Sequence, residues 1–130
     1  MRRMHPKEIE SVTALDAFER YNYFIKKIAD STVMYSLKSP EGDLAVSEIE
    51  SKYLLPFWSP IEFAEIGKRV GWVDFNVSEI SIPDFEKTYI PIIEARKYLI
   101  NVFPVNHKTG FVVDLVEFLR DLKEELLKYE

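Results

Sequence analysis

Two imidazoles, His5 and His107, are the only histidines for acid–base or metal chemistry. They form neither an HxH nor an HExxH spacing, so the sequence carries no zinc signature. His107 falls in a loop between two expected strands, where a solvated histidine is the ordinary state. To take part in acid–base catalysis it needs a carboxylate in the same cleft, with Asp74, Glu62 or Glu94 as the candidates. Two carboxylate pairs are close in sequence, Glu48 with Glu50 and Glu62 with Glu65. The second pair shares a helix face at i, i+3, which a solvated face and a helix cap explain equally well. Glycosidase-type pairs are defined by distance in space, which sequence spacing does not supply.

Other chemistries are excluded by composition. The sequence has no cysteine, which removes disulfides, zinc-thiolate and iron–sulfur sites, and a thiol nucleophile. Gly42, Gly67, Gly71 and Gly110 are scattered and build no phosphate-cradling loop. Gly67 and Gly71 are spaced as G-x-x-x-G, but on a charged segment, where a tolerated glycine and a helix stop account for them. No G-x-S-x-G elbow is present. No catalytic residue, metal site or cofactor is therefore expected.

The segment least explained by ordinary structure is Leu54-Leu55-Pro56-Phe57-Trp58-Ser59-Pro60. Two prolines restrict the backbone around two adjacent large aromatics. Neighbouring side chains in an extended segment point to opposite faces. One of Phe57 and Trp58 can enter the core, and the other needs a second environment. Trp72 follows one helix later. An aromatic pocket built from these residues is the alternative to plain core filling. Tyr53, Phe57, Trp58, Trp72 and His107 are the candidate binding residues.

The elements that must position them read as follows. Leu15, Phe18, Ile25 and Ile28 recur at helical spacing, which predicts a helix from about Thr13 to Ala29. Thr32 to Leu37 alternates as a strand, Ser39-Pro40-Glu41-Gly42 is a turn, and Leu44 onward returns as a second strand. Tyr53-Leu54-Leu55 is a third extended piece. Ser59-Pro60-Ile61-Glu62 reads as a helix start with Ser59 capping, and Gly71 as its stop. Trp72 to Ile80 alternates as a strand. A helix follows from Ser81 to Tyr89, and Pro91 is expected to bend or break it. Tyr98 to Phe103 and Phe111 to Val113 pair around a loop. Asp114 caps the last helix, whose stripe runs from Leu115 through Phe118, Leu122 and Leu126 to Tyr129.

Hairpins outnumber β-α-β crossings in this order. The expected fold is α+β, a mostly antiparallel sheet of about five short strands packed with three to four helices. The chain has 130 residues, the size of a single domain. Residues 1–11 are expected to be a flexible tail and residues 12–130 the domain.

The ordered blocks resemble a bacterial family called domain of unknown function 2750. Tyr21-Asn22-Tyr23-Phe24-Ile25-Lys26-Lys27-Ile28-Ala29-Asp30 looks like its opening helix. Leu55-Pro56-Phe57-Trp58 followed by Glu62-Phe63-Ala64 resembles its "LPxWP…YA" block, although Ser59 separates Trp58 from Pro60 here. Trp72, Ile82 and Phe85, Val102-Phe103-Pro104 and Gly110-Phe111-Val112-Val113 come in the expected order, so the resemblance covers roughly residues 15–128. It implies a small α+β bacterial cytoplasmic protein and supplies no catalytic residues.

The bulk properties are in keeping with that class. The net charge of −5 lacks the basic face that phosphate binding requires, so no nucleic-acid partner is expected. The basic start Met1-Arg2-Arg3-Met4-His5-Pro6-Lys7 leads into no apolar run, so no secretory signal is expected, and no segment reaches the length of a membrane span. The functional expectation is a cytoplasmic, non-enzymatic binding protein of adaptor or immunity type that recognises another protein. The first alternative is a small-molecule-binding regulatory domain with an aromatic pocket near Trp58 and Trp72. The second is a carboxylate enzyme assisted by His107.

Overall fold

Capping groups set most of the helix boundaries. In the computed structural model, which describes residues 4–128, Asp16 accepts from Glu19 N at 2.8 Å while Glu19 reaches back to Asp16 N. This reciprocal pair starts α2, Ala17–Ser31, four residues later than the start expected at Thr13. Before it lies α1, Pro6–Thr13, capped by the His5 side chain, which accepts from Lys7 N at 3.1 Å. Val12 of α1 is buried, and Met4 N donates to Glu62 Oε2 at 3.0 Å. The segment expected to be a tail is thus largely helical and tied to the domain. Residues 1–3 of that expectation lie outside the described residues.

The remaining elements are β1 (Val33–Lys38), β2 (Ser47–Ile49), β3 (Lys52–Phe57), α3 (Ile61–Lys68), β4 (Asn76–Ser81), α4 (Ile82–Asp84), α5 (Ile90–Arg96), β5 (Leu99–Val102), β6 (Phe111–Val113) and α6 (Leu115–Leu127). A single wide π turn, Phe85–Tyr89, links α4 to α5. Pro91, at the start of α5, lacks an N–H for the preceding turn. The widened turn accommodates it, so the chain stays helical where a bend or break was expected. Asp114 caps α6, accepting from Glu117 N at 2.8 Å. Tyr129, expected at the end of its stripe, lies outside the described residues.

The fold is α+β, with six strands among the described residues in two small sheets. The larger has the order β2–β3–β5–β6, and the smaller pairs β1 with β4. All pairings are antiparallel except β3 with β5, which run parallel. The expected hairpin between β1 and the Leu44 segment shrinks to one bridge, Lys38 with Leu44. β1 instead takes β4 as its full partner over six residues, Val33↔Ser81 to Lys38↔Asn76. Tyr35 and Trp58 exchange two backbone hydrogen bonds of 2.9 Å and join the sheets.

One face of the larger sheet builds the core. Leu55, Phe57, Ile100, Val102 and Val113 are buried there with Phe24, Ile28, Phe85, Tyr89, Ile93, Phe118 and Leu122 from the helical layer. Phe85 and Phe118 meet edge to face at 5.5 Å, as do Phe57 and Phe85, a favoured aromatic geometry. Alternation along the strands sends Asn101 to the opposite face. That face is roofed by the segment from Pro104 to Thr109, and the candidate site lies beneath it.

Candidate functional site

Phe57 and Trp58 point opposite ways from the end of β3, and both are fully buried. Phe57 enters the core between Phe85 and Tyr89. Trp58 lies behind the opposite face, where its indole N–H donates to Pro104 O at 2.7 Å. The second environment that the sequence required is therefore more of the core, packed under α3 with Phe63, Ala64 and Phe103. Gly67 makes room for it: a Cβ there would sit 2.4 Å from Trp58 Cζ2. Trp72, half-buried, meets Trp58 edge-on at 6.4 Å and 78°.

A second close approach fixes the roof. A Cβ on Gly110 would fall 2.1 Å from Val102 O, so only glycine fits against β5 without moving backbone. This contact lets Gly110 N donate to Asn101 Oδ1 at 2.8 Å. The bond also sets which way the buried Asn101 amide is turned.

Between these anchors the chain makes a tight turn. Lys108 N donates to Val105 O at 2.9 Å, and Asn106 and His107 have φ of 51° and 64°. Positive φ at both central residues is the signature of a type I′ turn. Asparagine tolerates it; histidine does so at a conformational cost. At the other end of the roof Phe103 also has positive φ, 68°. It is held there by two bonds, its N–H to Phe57 O at 2.8 Å and its carbonyl accepting from Arg20 Nε at 3.2 Å. Arg20 is buried and also donates to Leu15 O. Burial lowers its pKa, and Asp16 opposes that shift.

The result is a cleft of about 240 Å³. Trp72, Val70 and Ile49 give it apolar walls, Trp58 and Asn101 its floor, and the turn from Val105 to Thr109 its rim. Among the described residues that line it, none is Asp or Glu, while His107 and Lys108 are present. Of the five expected binding residues the cleft gathers three, Trp58, Trp72 and His107. Phe57 is in the core. Tyr53, 48 % exposed, lies beyond the cleft opposite Glu48, whose carboxylate raises its phenol pKa.

The carboxylates that were candidates for pairing with His107 are not in the cleft lining: Asp74, Glu62 and Glu94 are absent from it, and Glu62 instead accepts from Met4 N. Ser59, expected to cap α3, is buried, and Pro60 occupies the cap position with no side-chain bond. Asn101, Gly67, Gly110 and Arg20 were missed as site-forming residues. The one usable signal was Asn101, a polar residue inside an otherwise apolar strand, which implies a dedicated hydrogen bond. No helix of the described residues is long and apolar enough to cross a membrane.

A family model described as "Protein of unknown function (DUF2750)" matches residues 21–122. No curated protein matches the chain.

Proposed function

The chain belongs to the DUF2750 family, and from its own residues we propose that it is a non-enzymatic binding domain that holds a small ligand between Trp72 and the Pro104–Thr109 roof. The observation that carries this reading is a preformed cleft with apolar walls and a few polar groups, the usual make-up of a small-molecule site. The roof supports it further. Its conformation is secured from below by Trp58, Asn101 and Arg20, and such preorganisation lowers the ordering cost of binding. The aromatic-pocket reading is thereby favoured over the protein adaptor that sequence alone ranked first.

The test uses the protein's own chromophores. Its only two tryptophans, Trp58 and Trp72, both line the cleft, so a bound ligand alters intrinsic fluorescence. A thermal-shift screen across small aromatic and aliphatic metabolites identifies hits, since native-state ligands raise Tm. Each hit is then expected to change tryptophan emission and to lose its effect in Ser47→Phe, which fills the cleft. No hit in the screen, or hits indifferent to Ser47→Phe, defeats the reading.

A second reading, recognition of a protein, draws on a different surface. Phe18 is 56 % exposed and packs on Phe111 beside a groove between α2 and α6 that carries four carboxylates, Glu117, Asp121, Glu124 and Glu125, against two cations, Arg120 and Lys128. A basic protein partner suits that combination of apolar and acidic groups. Phe18→Ser should abolish such an association while leaving the cleft ligand bound, as read by sedimentation with the isolated partner.

A further inference from the structure

We propose that the cleft selects a singly charged organic acid, a carboxylate carried on an aromatic ring, over neutral and cationic analogues of similar size. This rests on the cleft reading above and adds the chemistry of the ligand.

Three observations point the same way. The lining has no acidic side chain among the described residues, whereas Lys108 and His107 stand at the rim. In a chain of net charge −5, the cleft is thus locally free of the prevailing sign. The second observation is Asn101, 3 % exposed and part of the floor. Its Oδ1 is taken by Gly110 N–H at 2.8 Å. That leaves the NH2 group as the side-chain donor Asn101 has to offer the cleft it lines. An amide NH2 only donates, so it calls for an acceptor. The third is that Trp58 offers the cleft no donor, its N–H being used by Pro104 O. Trp72 instead supplies an apolar aromatic wall, with Val70 and Ile49, suited to a ring, and the buried Trp58 backs it.

An ammonium and an amide NH2 match the two oxygens of a carboxylate. A phosphate dianion has three acceptor oxygens and a second charge, and such groups are held by several cations or a run of backbone N–H groups. A carboxylate on a ring is the occupant that uses the ammonium, the amide NH2 and the apolar walls together.

The experiment uses the full chain and three probes of similar size: phenylacetate, phenylacetamide and phenethylamine. Binding is followed by amide NMR, reading Gly110 and Lys108 N–H and the Trp72 indole. Phenylacetate is expected to shift those signals and to bind roughly fivefold or more tighter than the amide, from one charge-assisted contact at a partly exposed site. Phenethylamine is expected to bind more weakly than either. Lys108→Met, an exposed position on the turn, should weaken phenylacetate several-fold more than it weakens the amide, closing most of the gap between them. Equal binding of acid and amine, or acid binding indifferent to Lys108→Met, overturns the inference while leaving the cleft as a ligand site. Failure of all three probes to shift the cleft signals removes both.

Discussion

Gly67 and Trp58 should be energetically coupled with opposite signs in the two backgrounds. Gly67→Ala places a methyl carbon 2.4 Å from Trp58 Cζ2, 2.6 Å from Cε2 and 2.9 Å from Nε1. Ordinary contact is 3.4–4 Å, so the indole must move. Moving it strains a packed site at about 1–3 kcal/mol and stretches the 2.7 Å bond to Pro104 O, itself worth about 1 kcal/mol. Against this, alanine in a helix gains about 1 kcal/mol over glycine. The crowding wins, and Gly67→Ala alone should destabilise by about 1–3 kcal/mol.

Trp58→Phe removes the indole N–H and leaves a void, at about 2–3 kcal/mol. In that background the crowding pyrrole nitrogen and outer benzo carbon are gone. Gly67→Ala then fills part of the void and keeps its helical advantage, so it should stabilise by about 1 kcal/mol. The coupling energy across the cycle is therefore about 2–4 kcal/mol. Urea and thermal unfolding of the four proteins measure it, with about 3–5 °C of Tm for each kcal/mol at this size. If Gly67→Ala costs the same in both backgrounds within about 0.5 kcal/mol, then Gly67 is not there to admit Trp58, and the packing argument for the cleft floor fails.

Arg20→Met should cost about 2–4 kcal/mol by stripping the donor from Phe103 O and Leu15 O; a urea midpoint within error of the parent protein would show that those carbonyls find other partners. His107→Gly relieves a non-glycine residue at φ 64°, and because glycine also loosens the unfolded chain, Tm should rise slightly or stay level. A clear fall would mean that the imidazole itself holds the turn. At high pH, Tyr23 is raised from 10.0 to about 12 by burial, with Glu8 and Glu62 adding to the shift, and Tyr21 is raised by burial and its bond to Asp121. A raised folded-state pKa gives stability that is whole below pH 10 and falls as pH climbs toward 12. Tyr21→Phe with Tyr23→Phe should therefore flatten the alkaline limb of a Tm-versus-pH curve, and an unchanged limb would refute the assignment.

Local signals accounted for much of the architecture. Asp114 as a cap, the apolar stripe of α6, the extended pieces around Leu55 and Ile100 and the helix after Ser81 all follow from patterns within a few residues, and the structure has each of them. The opposed directions of Phe57 and Trp58 follow from the two-residue repeat of a strand. Partner choice does not. β1 could have paired with the Leu44 segment across a short turn, and it pairs with β4 because that alignment satisfies six residues rather than one. The parallel contact of β3 with β5 is likewise set by packing between segments more than forty residues apart.

The same division holds for the candidate site. Its aromatic members were legible because tryptophan between prolines is conspicuous at the level of residue type. Asn101, Gly67, Gly110 and Arg20 were not, since each acts through a contact that exists only after distant segments meet: amide to Gly110 N–H, bare Cα under an indole, bare Cα against a carbonyl, guanidinium to Phe103 O. Sequence alone determined which chemistries this protein lacks the residues for and that one of Phe57 and Trp58 needed a second place to go; the structure makes that residue Trp58. Tertiary structure decided where it went, because a large side chain is placed by the space that glycines and a folded-over loop leave for it.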